Sequence, residues 1–229
     1  MRAWDDLDLS CDLRTEPWRY PGPWASGSGL ITDAYLHRLR LVRHAPLGQA
    51  SVSAAAVGGD LSDELGLDEA LTRLGVVPTA SRHRVLSVGA NACPGILETK
   101  FLRGGVSVVT PLFSVRISGI AVGHSAHVAH GTYIPATPFV APGSVTDMWL
   151  ILVDDDQLDC LDATEPNYVR TTISADMFPM SVTGPGVEQK LAGAEVYTSV
   201  FGVLTDENGP VLLTGQAELT ARLLRAHQM

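Results

Sequence analysis

Between Ile31 and Arg43 the apolar residues Tyr35, Leu36, Leu39 and Val42 recur three and four apart, with Arg38, Arg40 and Arg43 between them. That rhythm predicts an amphipathic helix with its arginines toward solvent. Ala45 to Gly59 is rich in small residues and reads as a loop. Leu61, Leu65, Leu71 and Leu74 predict a second helix, interrupted at Gly66 and stopped by Gly75 with Pro78 beyond. After about residue 80 short β-branched runs take over. Val85 to Val88, Val106 to Val109, Phe113 to Val122 and Ser125 to Val128 predict strands, Met148 to Val153 and Tyr168 to Ile173 predict buried ones, and Lys190 to Leu204 holds at least one more. Ile134 to Pro138 reads as a tight crossing segment or edge. Gly215 to His227 closes the chain as an amphipathic helix through Leu219, Leu223 and Leu224. The pattern divides the chain into an N-terminal extension with two helices, residues 1–80, and a β-rich domain, residues 81–229.

Local punctuation places two candidate pieces of chemistry. Val85 to Val88 runs into Gly89-Ala90-Asn91-Ala92-Cys93-Pro94. The glycine permits a tight turn, and Pro94 suits the first position of a helix through about Leu102. Backbone N–H groups at such a loop can hold a carboxylate or a developing oxyanion; the same residues also make a plain turn. Downstream, Asp154, Asp155 and Asp156 follow the run Trp149 to Val153, as expected where a strand hands over to a helix whose first turn favours negative charge. Leu158 and Leu161 share one face of that helix. Pro166 disfavours helical backbone at Glu165, so this carboxylate sits just past the helix end in extended backbone, either aimed into a cavity as an acid/base or solvated at the surface. The hydroxyl of Tyr168 is expected within reach of whatever Glu165 addresses.

Composition narrows the partners. The 229 residues suffice for one sizeable core with an appendage, and 45% are apolar. No window is long and apolar enough to span a bilayer, and Met1 to Asp6 is acidic, so a soluble, cytoplasmic protein with no membrane partner is expected. A formal charge of -9, with Lys100 and Lys190 the only lysines, argues against a nucleic-acid partner. Cys11, Cys93 and Cys160 have no close pair and match neither a disulfide framework nor a zinc spacing. Cys93 is either a nucleophile activated by the helix N-terminus or a small buried or capping residue. On a strand, His124 and His130 face one way and His127 the other, so the three do not converge on a metal. Trp4, Trp18, Tyr20 and Trp24 crowd a proline-rich start that is expected to pack on the core or on a partner subunit, which makes a homo-oligomer through this segment one expectation. No nucleophile elbow, P-loop or dinucleotide fingerprint is present.

Taken in order, Val88-Gly89-Ala90-Asn91, then Tyr133-Ile134-Pro135-Ala136-Thr137, then Leu161-Asp162-Ala163-Thr164-Glu165 with Tyr168, resemble the gamma-glutamylcyclotransferase-like superfamily over roughly Arg84 to Phe201. The resemblance implies an α+β fold, a small mixed β-barrel flanked by helices, preceded here by the helical and irregular extension. It also implies an activity on a small-molecule γ-glutamyl substrate: the α-amine attacks its own γ-carbonyl, expels an amine and leaves 5-oxoproline. Glu165 would be the general acid/base, a task suited to a partly buried carboxylate, and Val88, Gly89, Ala90, Asn91 and Tyr168 would bind the substrate. No metal or organic cofactor is needed. The sequence departs from the family where Val88 and Ala90 replace a tyrosine and a serine, removing two hydroxyls from the loop. That leaves a catalytically inactive binding or scaffold protein, or an amide hydrolase, as competing expectations.

Overall fold

The computed structural model describes residues 2–3, 11–33 and 35–227. In chain order its elements are β1 (Arg2–Ala3), β2 (Gly29–Thr32), β3 (Tyr35–Arg38), β4 (Ser51–Ser53), β5 (Glu64–Gly66), α1 (Leu67–Arg73), β6 (His83–Ser87), α2 (Pro94–Gly104), β7 (Thr110–His124), β8 (Ala136–Val153), α3 (Asp155–Thr164), β9 (Tyr168–Ser174), β10 (Met180–Gly184), β11 (Val187–Lys190), β12 (Gly193–Ser199), β13 (Thr205–Asp206), β14 (Gly209–Pro210) and α4 (Gln216–His227). The fold is mixed α+β. A ten-stranded sheet runs β1-β3-β2-β7-β8-β6-β12-β9, with β10 and β11 branching from β7. The β6–β12 pair is parallel, while the β7–β8 hairpin that forms the spine is antiparallel. The sheet path is open, so the closed barrel expected from the resemblance is not formed among the described residues.

Continuous apolar runs arise because the sheet is covered on both sides. Adjacent residues go to opposite layers: Leu30, Leu86, Phe113 and Leu150 join one core cluster, and Ile31, Val85, Leu112 and Ile151 the other. The second cluster is completed by Leu97 and Phe101 of α2 and Leu158 and Leu161 of α3. The first is completed by Leu47, Val52, Leu67 and Leu71, so residues before position 80 supply the cover of one sheet face.

Several expected elements are corrected. Ile31 to Arg43 is not a helix but the β2–β3 hairpin and its exit, with Ile31 opposite Leu36 and Leu30 opposite His37. Burying Leu30, Ile31 and His37 within the sheet outweighs the helical spacing of Tyr35, Leu36 and Leu39. The second helix is shorter than expected: residues 64–66 pair with β4, and α1 occupies Leu67–Arg73 before Gly75 at φ +74. Residues 106–109 and 126–128 lie outside strands. β9 is a sheet edge with alternating exposure rather than a buried strand, because only β12 pairs with it. The strand at 83–87, the helices from Pro94 and from Asp155, and the closing helix fall where expected. Among the described residues no helix is long and apolar enough to cross a membrane.

Candidate functional site

The site forms where the C-terminal end of β6, the start of α2 and the end of α3 meet. After β6, Gly89 takes φ +62 and opens a short 3-10 turn through Ala92, and Pro94 begins α2. The leading N–H groups of such a turn have no partner within it. On the other side, Asp154 caps α3 by a reciprocal pair: its carboxylate accepts from the Gln157 N–H at 2.9 Å, and the Gln157 side chain accepts from the Asp154 N–H at 3.0 Å. Glu165 lies just past the end of α3 as expected, but at φ -118, ψ 52 rather than in extended backbone, because it opens the turn through Pro166. Its carbonyl accepts from the Tyr168 N–H at 3.0 Å, closing a turn that carries Pro166 at its second position.

The two helices approach closely because Gly104 has no side chain; a Cβ there would lie 2.6 Å from Cys160 Sγ. The result is a triangle of polar groups. Asn91 Nδ2 donates to Glu165 Oε1 at 3.0 Å, Lys100 Nζ donates to the same oxygen at 2.6 Å, and Lys100 Nζ also donates to Asn91 Oδ1 at 2.8 Å. The Glu165 and Lys100 side chains are only 16% and 18% exposed, so this ion pair is largely withdrawn from water. Glu165 is therefore not a solvated surface residue.

A cavity of about 250 Å³ opens beside the triangle, lined by Val88, Ala90, Asn91, Lys100, Glu165 and Tyr168 together with Tyr20, Tyr133, Tyr197, His127 and His130. Val88, Ala90, Asn91, Glu165 and Tyr168 thus line one cavity. Gly89 packs behind them beneath Tyr20, whose Oη would be 2.1 Å from a Cβ at that position. The Tyr168 hydroxyl is committed elsewhere, donating to the Ala136 carbonyl at 2.8 Å, and burial raises its pKa above the ordinary tyrosine range, with Glu165 adding to the shift.

No local pattern in the sequence marks Lys100, Tyr20 or Tyr133 as functional, although Tyr133 stands in one of the matched motifs. Tyr20 stacks on Tyr133 with ring centroids 4.5 Å apart, and Trp24 Nε1 donates to the Gly89 carbonyl at 3.2 Å. The aromatic start of the chain is anchored at these residues, whereas Trp18 is exposed and Trp4 lies outside the described residues. His127 and His130 line the cavity, but His124 turns away, its Nδ1 toward the Ile134 carbonyl and its Nε2 accepting from the Thr214 N–H. Ser125 Oγ lies 2.7 Å from both Ser199 Oγ and His127 Nδ1, tying the His127 ring to β12. Desolvation lowers the His127 pKa. Cys93 is fully buried at the N-cap of α2, and desolvation pushes its thiol up to about 12, which disfavours the activated-nucleophile alternative against the buried or capping one.

No family model and no curated protein matches the sequence. Similar solved structures include two proteins from Arabidopsis thaliana determined in solution. They are 18% and 14% identical; each aligns with 63% of this chain and with 84% and 76% of its own, at TM-score 0.41. A gamma-glutamyl cyclotransferase is 17% identical over 52% of this chain and 67% of its own, at TM-score 0.37.

Proposed function

We propose that the cavity carries out intramolecular cyclotransfer on a γ-glutamyl amide or peptide, releasing an amine and 5-oxoproline, with Glu165 as general acid and base. The observation that carries this reading is the convergence of Glu165 and Asn91, 74 positions apart, on one cavity beside the Gly89–Ala92 turn. The substrate's α-amine attacks its γ-carbonyl; a C–N bond forms in the five-membered ring and the amide C–N bond breaks. Lys100 and Asn91 both engage Oε1, leaving Oε2 to take the proton from the attacking nitrogen and deliver it to the departing one. In this reading the turn's leading N–H groups hold the oxyanion that develops on the γ-carbonyl oxygen.

Purified protein incubated with a panel of γ-glutamyl amines and peptides should release 5-oxoproline, and Glu165→Gln should abolish turnover with the fold intact. Wild-type turnover in Glu165→Gln would sink the mechanism, and free glutamate in place of 5-oxoproline would point to hydrolysis. A second reading, a binding protein without chemistry, is favoured by the absence of hydroxyls at Val88 and Ala90. It expects ligand-dependent thermal stabilisation with no turnover.

A further inference from the structure

We propose that Tyr20, far upstream of the turn and the glutamate, contacts the bound molecule directly, donating its hydroxyl proton to a ligand oxygen in the cavity. The identity of the ligand rests on the cyclotransfer reading; the contact itself rests on the geometry of the wall.

Tyr20 is 3% exposed, yet it lines the cavity. Its oxygen accepts from the Ala136 N–H at 2.5 Å, and the Ala136 carbonyl is already taken by Tyr168. A phenol also carries one proton to donate. Among the described residues no hydrogen bond uses that proton, and buried donors are rarely left without an acceptor. Burial, reinforced by Tyr168, holds the Tyr20 pKa well above its ordinary value, so the group remains a protonated donor. The hydroxyl stands directly over Gly89, where a Cβ would fall 2.1 Å from it. Gly89 lies behind the lining residues Val88, Ala90 and Asn91, so the hydroxyl sits at the base of the turn whose neighbouring residues, with Tyr20 itself, line the cavity. The ring is fixed by its stack on Tyr133, and the turn beneath it is held by the Trp24 hydrogen bond to the Gly89 carbonyl. A rigid, desolvated O–H of this kind suits a carboxylate or lactam carbonyl oxygen, both of which 5-oxoproline presents.

The test is titration calorimetry of 5-oxoproline with wild type and Tyr20→Phe, alongside steady-state kinetics on a γ-glutamyl amide and thermal unfolding of both proteins. Loss of one hydrogen bond to a charged oxygen corresponds to affinity weakened about ten-fold to one-hundred-fold. In the kinetics the loss should appear in KM when the bond is made equally to substrate and transition state, and in kcat when it strengthens in the transition state. Affinity within two-fold of wild type in a folded Tyr20→Phe overturns the contact, whatever the turnover. A wild type that binds 5-oxoproline but turns over no γ-glutamyl amide removes the cyclotransfer reading and leaves the Tyr20 comparison valid. A wild type that binds no 5-oxoproline removes the proposed contact. Should Tyr20→Phe fail to fold, difluorotyrosine at position 20 keeps the ring and hydroxyl while strengthening the donor; unchanged affinity there overturns the proposal equally.

Discussion

Gly89→Ala, alone and combined with Tyr20→Phe, tests how the aromatic segment is built onto the turn. Gly89 sits at φ +62, a left-handed conformation that costs an alanine about 1–2 kcal/mol. The added Cβ would lie 2.1 Å from Tyr20 Oη and 3.1 Å from the Ala136 Cβ. The hydroxyl must move, and it then loses the buried Ala136 N–H, a penalty of about 1–3 kcal/mol. Gly89→Ala should therefore cost about 2–5 kcal/mol in equilibrium urea unfolding. Tyr20→Phe by itself deletes the same hydrogen bond, about 1–3 kcal/mol. In the double variant that bond is lost once rather than twice, and the ring's Cζ, 3.1 Å from the new Cβ, needs only a small shift. The double variant should be less destabilised than the sum of the single ones by about 1–3 kcal/mol, the energy of the shared bond. Additivity to within about 0.5 kcal/mol would refute the packing argument, because distant and independent sites behave that way.

Two further outcomes follow from buried polar groups away from the cavity. Gln157, fully buried, accepts from Arg82 Nη1 and the Asp154 N–H and donates to the Ser107 carbonyl and Thr110 Oγ1. Gln157→Leu takes this partner from the Asp154 N–H and the Ser107 carbonyl, while Arg82 Nη1 keeps the Val109 and Leu152 carbonyls and Thr110 Oγ1 keeps the Val108 carbonyl. It should lower stability by about 2–4 kcal/mol, and a loss below about 1 kcal/mol in urea unfolding would contradict the network's role. His37 is buried against Thr32 Oγ1, and desolvation lowers its pKa to about 4. A folded-state pKa below the unfolded value of about 6.5 means that the unfolded chain binds the extra proton between these limits. His37 thus contributes stability above about pH 6.5 that falls away as pH drops to about 4. The stability difference between wild type and His37→Gln should change by about 3 kcal/mol across that window, and an equal difference at both pH values would refute the linkage.

The parts legible in the sequence were those set by local chemistry. Gly89 before Pro94, the aspartates before Leu158 and Pro166 after Glu165 each restrict backbone within a few residues, and the loop, the two helix starts and the helix end fell accordingly. The hairpin at residues 29–38 carries helical spacing because four-residue strands are too short for periodicity to separate from a helix. Their burial depends on pairing Gly29–Ile31 with β7, some eighty positions later. The places of Lys100 and Tyr20 at the cavity are hidden in the sequence for the same reason. Tyr20 meets Ala136 across 116 positions and Lys100 meets Glu165 across 65, and no local pattern encodes either meeting.

Lys100 also changes how Glu165 is to be understood. At 2.6 Å and an effective dielectric of about 20, the gross attraction is about 6 kcal/mol, but withdrawing each charge from water costs several kcal/mol. The two terms nearly cancel, so the ion pair is not what holds α2 against α3. That work falls to Leu97, Phe101, Leu158 and Leu161, and to the close approach at Gly104. What the pair supplies is direction. A cation and an amide converging on Oε1 fix the plane of the carboxylate and so the direction in which Oε2 points. Cyclotransfer needs a single base to serve two nitrogens in turn, one attacking and one leaving, both bonded to the same carbon. A carboxylate held by one oxygen meets that need, because proton acceptance and delivery then occur at one fixed point beside that carbon.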